Sequence, residues 1–320
     1  MNQNKLLKFI MLIIVLNSCK RTTPNDTNVS NNQPLAVASK TLVGPLLECK
    51  VYKLFNGYSS SDDFEASGVF AKDGEFNLVF DNRYKIGKIN KALIQNSSLN
   101  IFIGSGSGSS NFEGITFDPY NTPNWYVVEE SVKNGNVAYN PRIREYDKTL
   151  NYQSSQWCDY NFNSTNNNKA FEGVAYVRRN NQDYILSIVE GTGKIVVNQQ
   201  NGNIWKVITE FSLPVTFKDY SDIAIFGNKL AVTSQEDAQI WIGNLHQTLW
   251  TYTGSWTVYD FPKGDKNGTV GAGNLTLYGN IEGVSFINDS TIVTCSDKAS
   301  SSQPSYQNYK DQSVQIFRIR

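Results

Sequence analysis

Phe112-Glu113-Gly114-Ile115-Thr116-Phe117 returns along the chain as Phe171-Glu172-Gly173-Val174-Ala175-Tyr176 and as Ile281-Glu282-Gly283-Val284-Ser285-Phe286. Looser copies, Phe64-Glu65-Ala66-Ser67-Gly68-Val69 and Tyr220-Ser221-Asp222-Ile223-Ala224-Ile225, complete the series, and its acids step by 48, 59, 50 and 60 residues. That period exceeds a four-stranded propeller blade only slightly and is far too long for a helical hairpin repeat. The repeat predicts an all-β chain, a single β-propeller of five blades with four antiparallel strands each. Thr269 to Tyr278 could add strands, so six blades are the alternative.

Around the copies, apolar runs broken by polar or Gly-containing turns give the strands. The first blade is expected from 67–70, 76–80, 85–89 and 99–103, and the second from 114–117, 125–128, 142–146 and 156–162. The third takes 173–177, 184–189, 194–197 and 204–211, and the fourth 222–226, 229–233, 239–242 and 255–261. The fifth has only 283–287, 291–295 and 314–319 before the chain ends. Lys50 to Phe55 is expected to supply its fourth strand and close the ring, which removes both exposed edges. No stretch of ten or more residues joins helical periodicity to a cap, so little helix is expected.

The N-terminus carries Lys5 and Lys8, an apolar run from Phe9 to Leu16, and then Asn17-Ser18-Cys19. A basic start, a short apolar core and a small residue before the cut describe a bacterial export signal over residues 1–18. The run is too short to span a bilayer. Its end resembles a lipobox, which makes Cys19 the expected lipid attachment, although Asn17 stands where that pattern has a smaller residue. A plain secretory signal is the alternative. Residues 19–45, rich in Thr, Asn, Pro and Ser at the start, read as a lipid-anchored tether, and residues 46–320 as the propeller. The expected location is the bacterial cell envelope, with the domain outside the cytoplasm and the bilayer as a partner through acylated Cys19.

Charge is balanced, 29 basic against 29 acidic residues, so no overall field favours nucleic acid. Cys49, Cys158 and Cys295 are too far apart for a metal motif. A Cys49–Cys295 disulfide and three buried thiols are both open.

In a propeller, the start of the first strand and the end of the second lie on one face of the disc. The starts carry Glu65, Glu113, Glu172, Asp222 and Glu282; the ends carry Asp81, Glu129 with Glu130, Glu190, Glu236 with Asp237, and Asp297. Carboxylates crowded at one mouth raise one another's pKa unless a cation intervenes. A hard, oxygen-liganded ion such as calcium is the simplest neutraliser. The candidate metal ligands are Glu113, Glu129, Glu130, Glu172, Glu190, Asp222, Glu236 and Glu282. The structural alternative is that acid-Gly caps a turn at each inner corner, the carboxylate taking backbone N–H bonds. Other chemistry is sparse. His246 sits alone in a loop, Gly104 to Ser110 lacks the Lys and helix of a phosphate loop, and the six tryptophans read as packing.

Phe112 to Phe117 followed by Trp125-Tyr126-Val127-Val128-Glu129-Glu130 is similar to the SdiA-regulated protein family, extracytoplasmic propellers related to phytase-like and esterase-like propellers. Phe171 to Tyr176 with Ile188-Val189-Glu190, Ser221 to Ala224 with Val232 to Glu236, and Ile281 to Phe286 with Ser296-Asp297 match successive repeats. The resemblance implies a propeller whose acidic positions are candidates for calcium. The chain departs from the phytase style, because no Lys/Arg cluster accompanies the acids to hold a phosphate. The leading expectation is a tethered binding module that takes a cation, and with it a glycan, peptide or small polar ligand. The alternative is a calcium-dependent hydrolase of an ester or phosphoester.

Overall fold

Apolar runs of five to eight residues separated by Asn, Asp and Gly turns form short strands, and their burial falls from the inside of each sheet outward. Strand β4 (Glu75–Phe80) is buried along nearly its whole length, whereas an outer strand such as Ile204–Ser212 alternates between exposed and covered residues. A strand covered on both faces reads as a continuous apolar run, and a half-covered one alternates. A computed structural model of the protein describes residues 39–104, 106, 108–120, 123–135, 138–162 and 170–319. These belong to one compact unit, Val37–Arg320. Cys19, the export signal and all but the end of the tether lie outside the described residues.

In chain order, β1 (Lys40–Thr41) and β2 (Leu47–Lys50) precede one helical turn, α1 (Val51–Leu54). The first meander is β3 (Ala66–Lys72), β4, β5 (Arg83–Asn90) and β6 (Ile101–Ile103). The second is β7 (Phe112–Asp118), β8 (Asn124–Asn134), β9 (Ala138–Asp147) and β10 (Tyr152–Cys158). The third is β11 (Phe171–Arg179), β12 (Gln182–Val189), β13 (Lys194–Asn201) and β14 (Ile204–Ser212). The fourth is β15 (Asp222–Phe226), β16 (Lys229–Ser234), β17 (Gln239–Leu245) and β18 (Tyr252–Asp260). A small hairpin of β19 (Lys263–Gly264) and β20 (Leu275–Thr276) leads to β21 (Ile281–Asn288), β22 (Thr291–Ser296) and β23 (Ser313–Arg318).

The first strands of the sheets pack in a ring: β3 on β7, β7 on β11, β11 on β15, β15 on β21, and β21 back on β3. Apolar clusters fill the spaces between successive sheets. One joins the first and last around Phe64, Phe80 and Val293, and another holds Val79, Trp125 and Tyr146 between the first and second. The chain is a β-propeller. The stretch from Thr269 to Tyr278, which could have supplied a further sheet, contributes the two-residue β20 and one isolated bridge from Val270 to Gly264. Parallel pairing of β10 with β14 joins the second and third meanders at their outer edges, a link the sequence did not signal.

Closure of the ring differs from expectation in register. The strand that completes the last sheet is β2, with Cys49 opposite Val314, and not Lys50 to Phe55. Residues 51–54 turn helically instead, because that places Val51 and Leu54 on one side, both fully buried. Phe55 then stacks on Phe102 with ring centroids 3.9 Å apart. Pairing also begins earlier than the expected end of the tether: β1 runs parallel to β18, and Leu42 is buried in the core. Cys49, Cys158 and Cys295 are free, buried thiols.

Candidate functional site: a carboxylate-lined mouth

Four of the inner strands begin with the same irregularity, and in three of them it holds a glutamate. In β7, Phe112 pairs with Glu129 and Gly114 with Val128, so Glu113 is the extra residue of a bulge. Glu172 of β11 and Glu282 of β21 sit in the same bulge. A bulge re-aims the inserted side chain. The following glycine is required by close approach: a Cβ on Gly114 would lie 2.7 Å from the backbone nitrogen of Val174. The three glutamates are therefore carried to the axis by strands that almost touch.

The first blade has the same bulge, but Ser67 occupies it and not Glu65, which is a correction to the sequence reading. The fourth blade is displaced likewise. Ser221 stands at the glutamate position, and Asp222 stands where the other blades have glycine. Both serines reach across to the next blade, Ser67 Oγ donating to the Phe112 carbonyl and Ser221 Oγ to the Ile281 carbonyl. Asp222 does not reach the mouth. Its carboxylate accepts the backbone N–H of Ile223 at 2.7 Å and of Val284 at 2.7 Å, tying β15 to β21. Burial raises its pKa well above the ordinary value, against those two donors.

The second ring of acids comes from the ends of the second strands. Asp81, Glu130, Glu190 and Asp297 occupy equivalent places, each N–H bonded to the carbonyl one residue before the neighbouring inner strand begins. Glu129 points the other way, since successive strand residues face opposite sides. It is 1% exposed and ion-paired with Arg142 and, at 2.7 Å, with Arg144. In the fourth blade β16 stops at Ser234 and Gln235 takes the mouth position, its amide donating to Glu282 at 2.9 Å. Glu236 is exposed in the turn that follows, and Asp237 accepts the Lys218 N–H and pairs with its side chain. Neither of that expected pair lines the cavity.

Asp219 was missed. It is buried, accepts Ser234 Oγ–H and the Glu236 N–H, and lines the mouth. Its signal was present in the sequence: in the two blades that carry Ser at the bulge position, an acid stands two residues earlier, as Glu65-Ala66-Ser67 and Asp219-Tyr220-Ser221.

The resulting cavity, about 160 Å³, is lined by Asp81, Glu113, Glu130, Glu172, Glu190, Asp219, Glu282 and Asp297 with Ser221 and Gln235. Among the described residues, no lysine or arginine lines it. Burial, then the charge of neighbouring carboxylates, pushes Glu113, Glu172 and Glu282 well above the ordinary range. Glu130 is pushed up to about 7, chiefly by burial and further by Glu190, against a backbone N–H from Ala170. Asp297 also rises to about 7, first through burial and then through Glu65, against the Lys298 N–H. Glu130 is 8% exposed, and among the described residues its Oε1 has no hydrogen-bond partner.

All of these donors are oxygens, the chemistry of a hard cation and not of zinc or copper. Among the described residues, no three His, Cys, Asp or Glu side chains already stand in a ready-made coordination group. His246 is apart from the mouth, its Nδ1 accepting the N–H groups of Thr248 and Leu249. The Gly-Ser segment meets the rim through Ser109 and Ser110, whose hydroxyls donate to the Asp81 carbonyl.

No family model matches the chain, and no curated relative matches it. Among solved structures it is similar to the glutaminyl cyclase of Myxococcus xanthus, at 6% identity over 88% of this chain and 99% of that one, with a TM-score of 0.48. It is also similar to a luciferin-regenerating enzyme, at 10% identity over 86% and 95% with a TM-score of 0.47. A third similarity is to the Dos1 propeller, at 6% identity over 79% and 69% with a TM-score of 0.37.

Proposed function

We propose that the carboxylate mouth is a cation site, most suited to calcium, in a propeller held at the envelope membrane by a lipid on Cys19. Glu130, Glu172, Glu190 and Glu282 would hold the ion, with Asp81, Glu113, Asp219 and Asp297 around them. The observation that carries the reading is the gathering of eight carboxylates on one small cavity, where Glu130 Oε1 is buried and, among the described residues, without a hydrogen-bond partner. A buried carboxylate oxygen without a donor is costly, and a cation or a proton removes that cost. An ion at an open mouth also offers a place to oxygen ligands of a glycan or peptide, which makes a binding module the function this site supports. The resemblance to the SdiA-regulated proteins rests on the repeat residues and agrees with this reading.

Calorimetry of the full chain against calcium chloride after chelator removal tests the metal. A saturable signal is expected in the wild type, and a loss of at least about tenfold in affinity for Glu130→Gln, as removal of a charged ligand implies. An absence of heat and of thermal shift at millimolar calcium would remove the proposal. Labelling with radioactive palmitate tests the anchor: Cys19→Ser should abolish incorporation.

A second reading, a hydrolase of esters or phosphoesters, is favoured by Glu130 and Asp297, both near 7, where a carboxylate can take up or release a proton at neutral pH. A substrate panel run with calcium and then with chelator decides it. Turnover that Glu130→Gln leaves intact would count against Glu130 as the base.

A further inference from the structure

Along each inner strand that carries the repeat, the order is acid, glycine, then a run that leaves the axis at the opposite face. A second cavity opens there, about 320 Å³, independent of the carboxylate mouth. The glycine level and the buried Asp222 lie between the two. The cavity exists because four of the five blades put a small residue two positions after the glycine level: Thr116, Ala175, Ala224 and Ser285. The first blade has Phe70 there, edge-on to Trp125 at 5.6 Å between ring centroids. Below the small residues, Val174 and Ile223 give apolar walls, both nearly fully buried.

Its rim is the chemical opposite of the first mouth. Arg178 and Arg179 line it, and among the described residues no aspartate or glutamate does. Arg179 is fixed in place, donating to the His246 carbonyl and, at 3.1 Å, to the Leu249 carbonyl, with its guanidinium 3.8 Å from the Trp250 ring centroid. Arg178 lies 5.0 Å from the centroid of half-exposed Tyr120. Its buried Nη1 is ion-paired at 3.3 Å with Asp183, which lies outside the cavity lining, and among the described residues it forms no hydrogen bond. A guanidinium beside an aromatic ring, over an apolar well, matches a planar anion attached to an apolar body. The volume lies near the small end of the range for ligand pockets, which begins at roughly 300 Å³.

We infer that this second mouth binds a small apolar monoanion, an aryl or short-chain carboxylate, with its hydrocarbon among the inner strands and its anionic group on Arg178. Fluorescence of 8-anilinonaphthalene-1-sulfonate with the full chain reports occupancy, and octanoate and 1-octanol serve as competitors. In the wild type, octanoate should displace the dye at a concentration at least about tenfold below that of octanol, the size of one charge-assisted contact. Arg178→Gln should erase that preference while octanol competes as before. Ala224→Leu, which fills the well, should lose the dye while keeping the calcium heat of the other mouth. Equal competition by octanol and octanoate in the wild type, or dye binding unchanged in a folded Ala224→Leu protein, overturns the inference. If Ala224→Leu does not fold, the competitor ratio in Arg178→Gln decides it alone. Calcium heat is a separate readout, so failure here leaves the first mouth untouched.

Discussion

Asp222 shows how one residue can follow a repeat in sequence and leave it in space. The acids at 65, 113, 172, 222 and 282 look equivalent, yet only Glu113, Glu172 and Glu282 reach the mouth. At Asp222 the acid has moved one position, into the glycine level, and serves as a bridge between blades. An Asp222→Gly protein puts glycine at that level of the fourth inner strand as well and removes the acceptor for the Val284 N–H, which is then buried without a partner. We expect a loss of about 1–3 kcal/mol, the cost of an orphaned buried donor, read as a lower midpoint in urea unfolding. A variant as stable as the wild type would show that the bridge contributes nothing. The same reasoning separates Glu129 from Glu130. The sequence offered two adjacent acids, and strand alternation allows only one of them to face the axis. Which one does so depends on the bulge register and on Arg142 and Arg144 taking the other, and neither is visible before pairing is known.

At the scale of the strand, the acid and the glycine act together: the bulge turns the acid inward and the missing Cβ lets the strands close. Gly114→Ala tests this. Its Cβ would stand 2.7 Å from Val174 N and 2.8 Å from Gly173 Cα, both backbone atoms of the next blade that cannot swing aside. Overpacking of this kind costs about 1–3 kcal/mol, and a fall in melting temperature is expected. Separation of β7 from β11 should also weaken calcium heat, since Glu113 and Glu172 ride on those strands. An unchanged melt would mean that the ring absorbs the methyl group. Most strands were legible because each apolar run is bounded by turn residues, as in Lys229–Ser234 and Thr291–Ser296. The end of β16 was also within reach, but not the consequence that Gln235 would face the mouth in place of Glu236. The closing strand was misplaced because Val51 and Leu54 fit an apolar strand as well as one helical turn. Only contact with the first blade's core decides between them. The parallel joint of β10 and β14 leaves no local pattern at all, because it pairs residues of different repeats.

For the whole molecule, ring closure is what converts separate strand ends into a single field. Three inner strands, the ends of the second strands and Asp219 deliver carboxylates to one opening, and the antiparallel pairing of β2 with β23 holds the last sheet in the ring. In the absence of a cation, that concentration of acids must show in the dependence of stability on pH. Glu130 and Asp297 titrate at about 7 in the fold, above the ordinary 4.5 and 3.8 of the two side chains. A raised pKa means that the folded chain holds these protons more tightly than the unfolded chain does. Their stabilising effect is therefore fullest below about pH 4 and is lost as pH rises through 7, the loss approaching about 1.4 kcal/mol per bound proton for every pH unit climbed between the two values. Acids displaced the other way, such as surface Asp147 at about 2, act only at lower pH, whereas Asp222, outside the mouth and raised by burial, acts in the same direction as the mouth acids. In chelator, the melting temperature should fall between pH 5 and pH 8. Millimolar calcium should flatten that fall by taking the place of the protons, and calcium affinity should rise over the same interval. The heat of binding should then vary with the ionisation enthalpy of the buffer, because protons leave as the ion enters. A melting temperature that rises from pH 5 to 8 in chelator would mean that the eight carboxylates do not share one poorly screened opening.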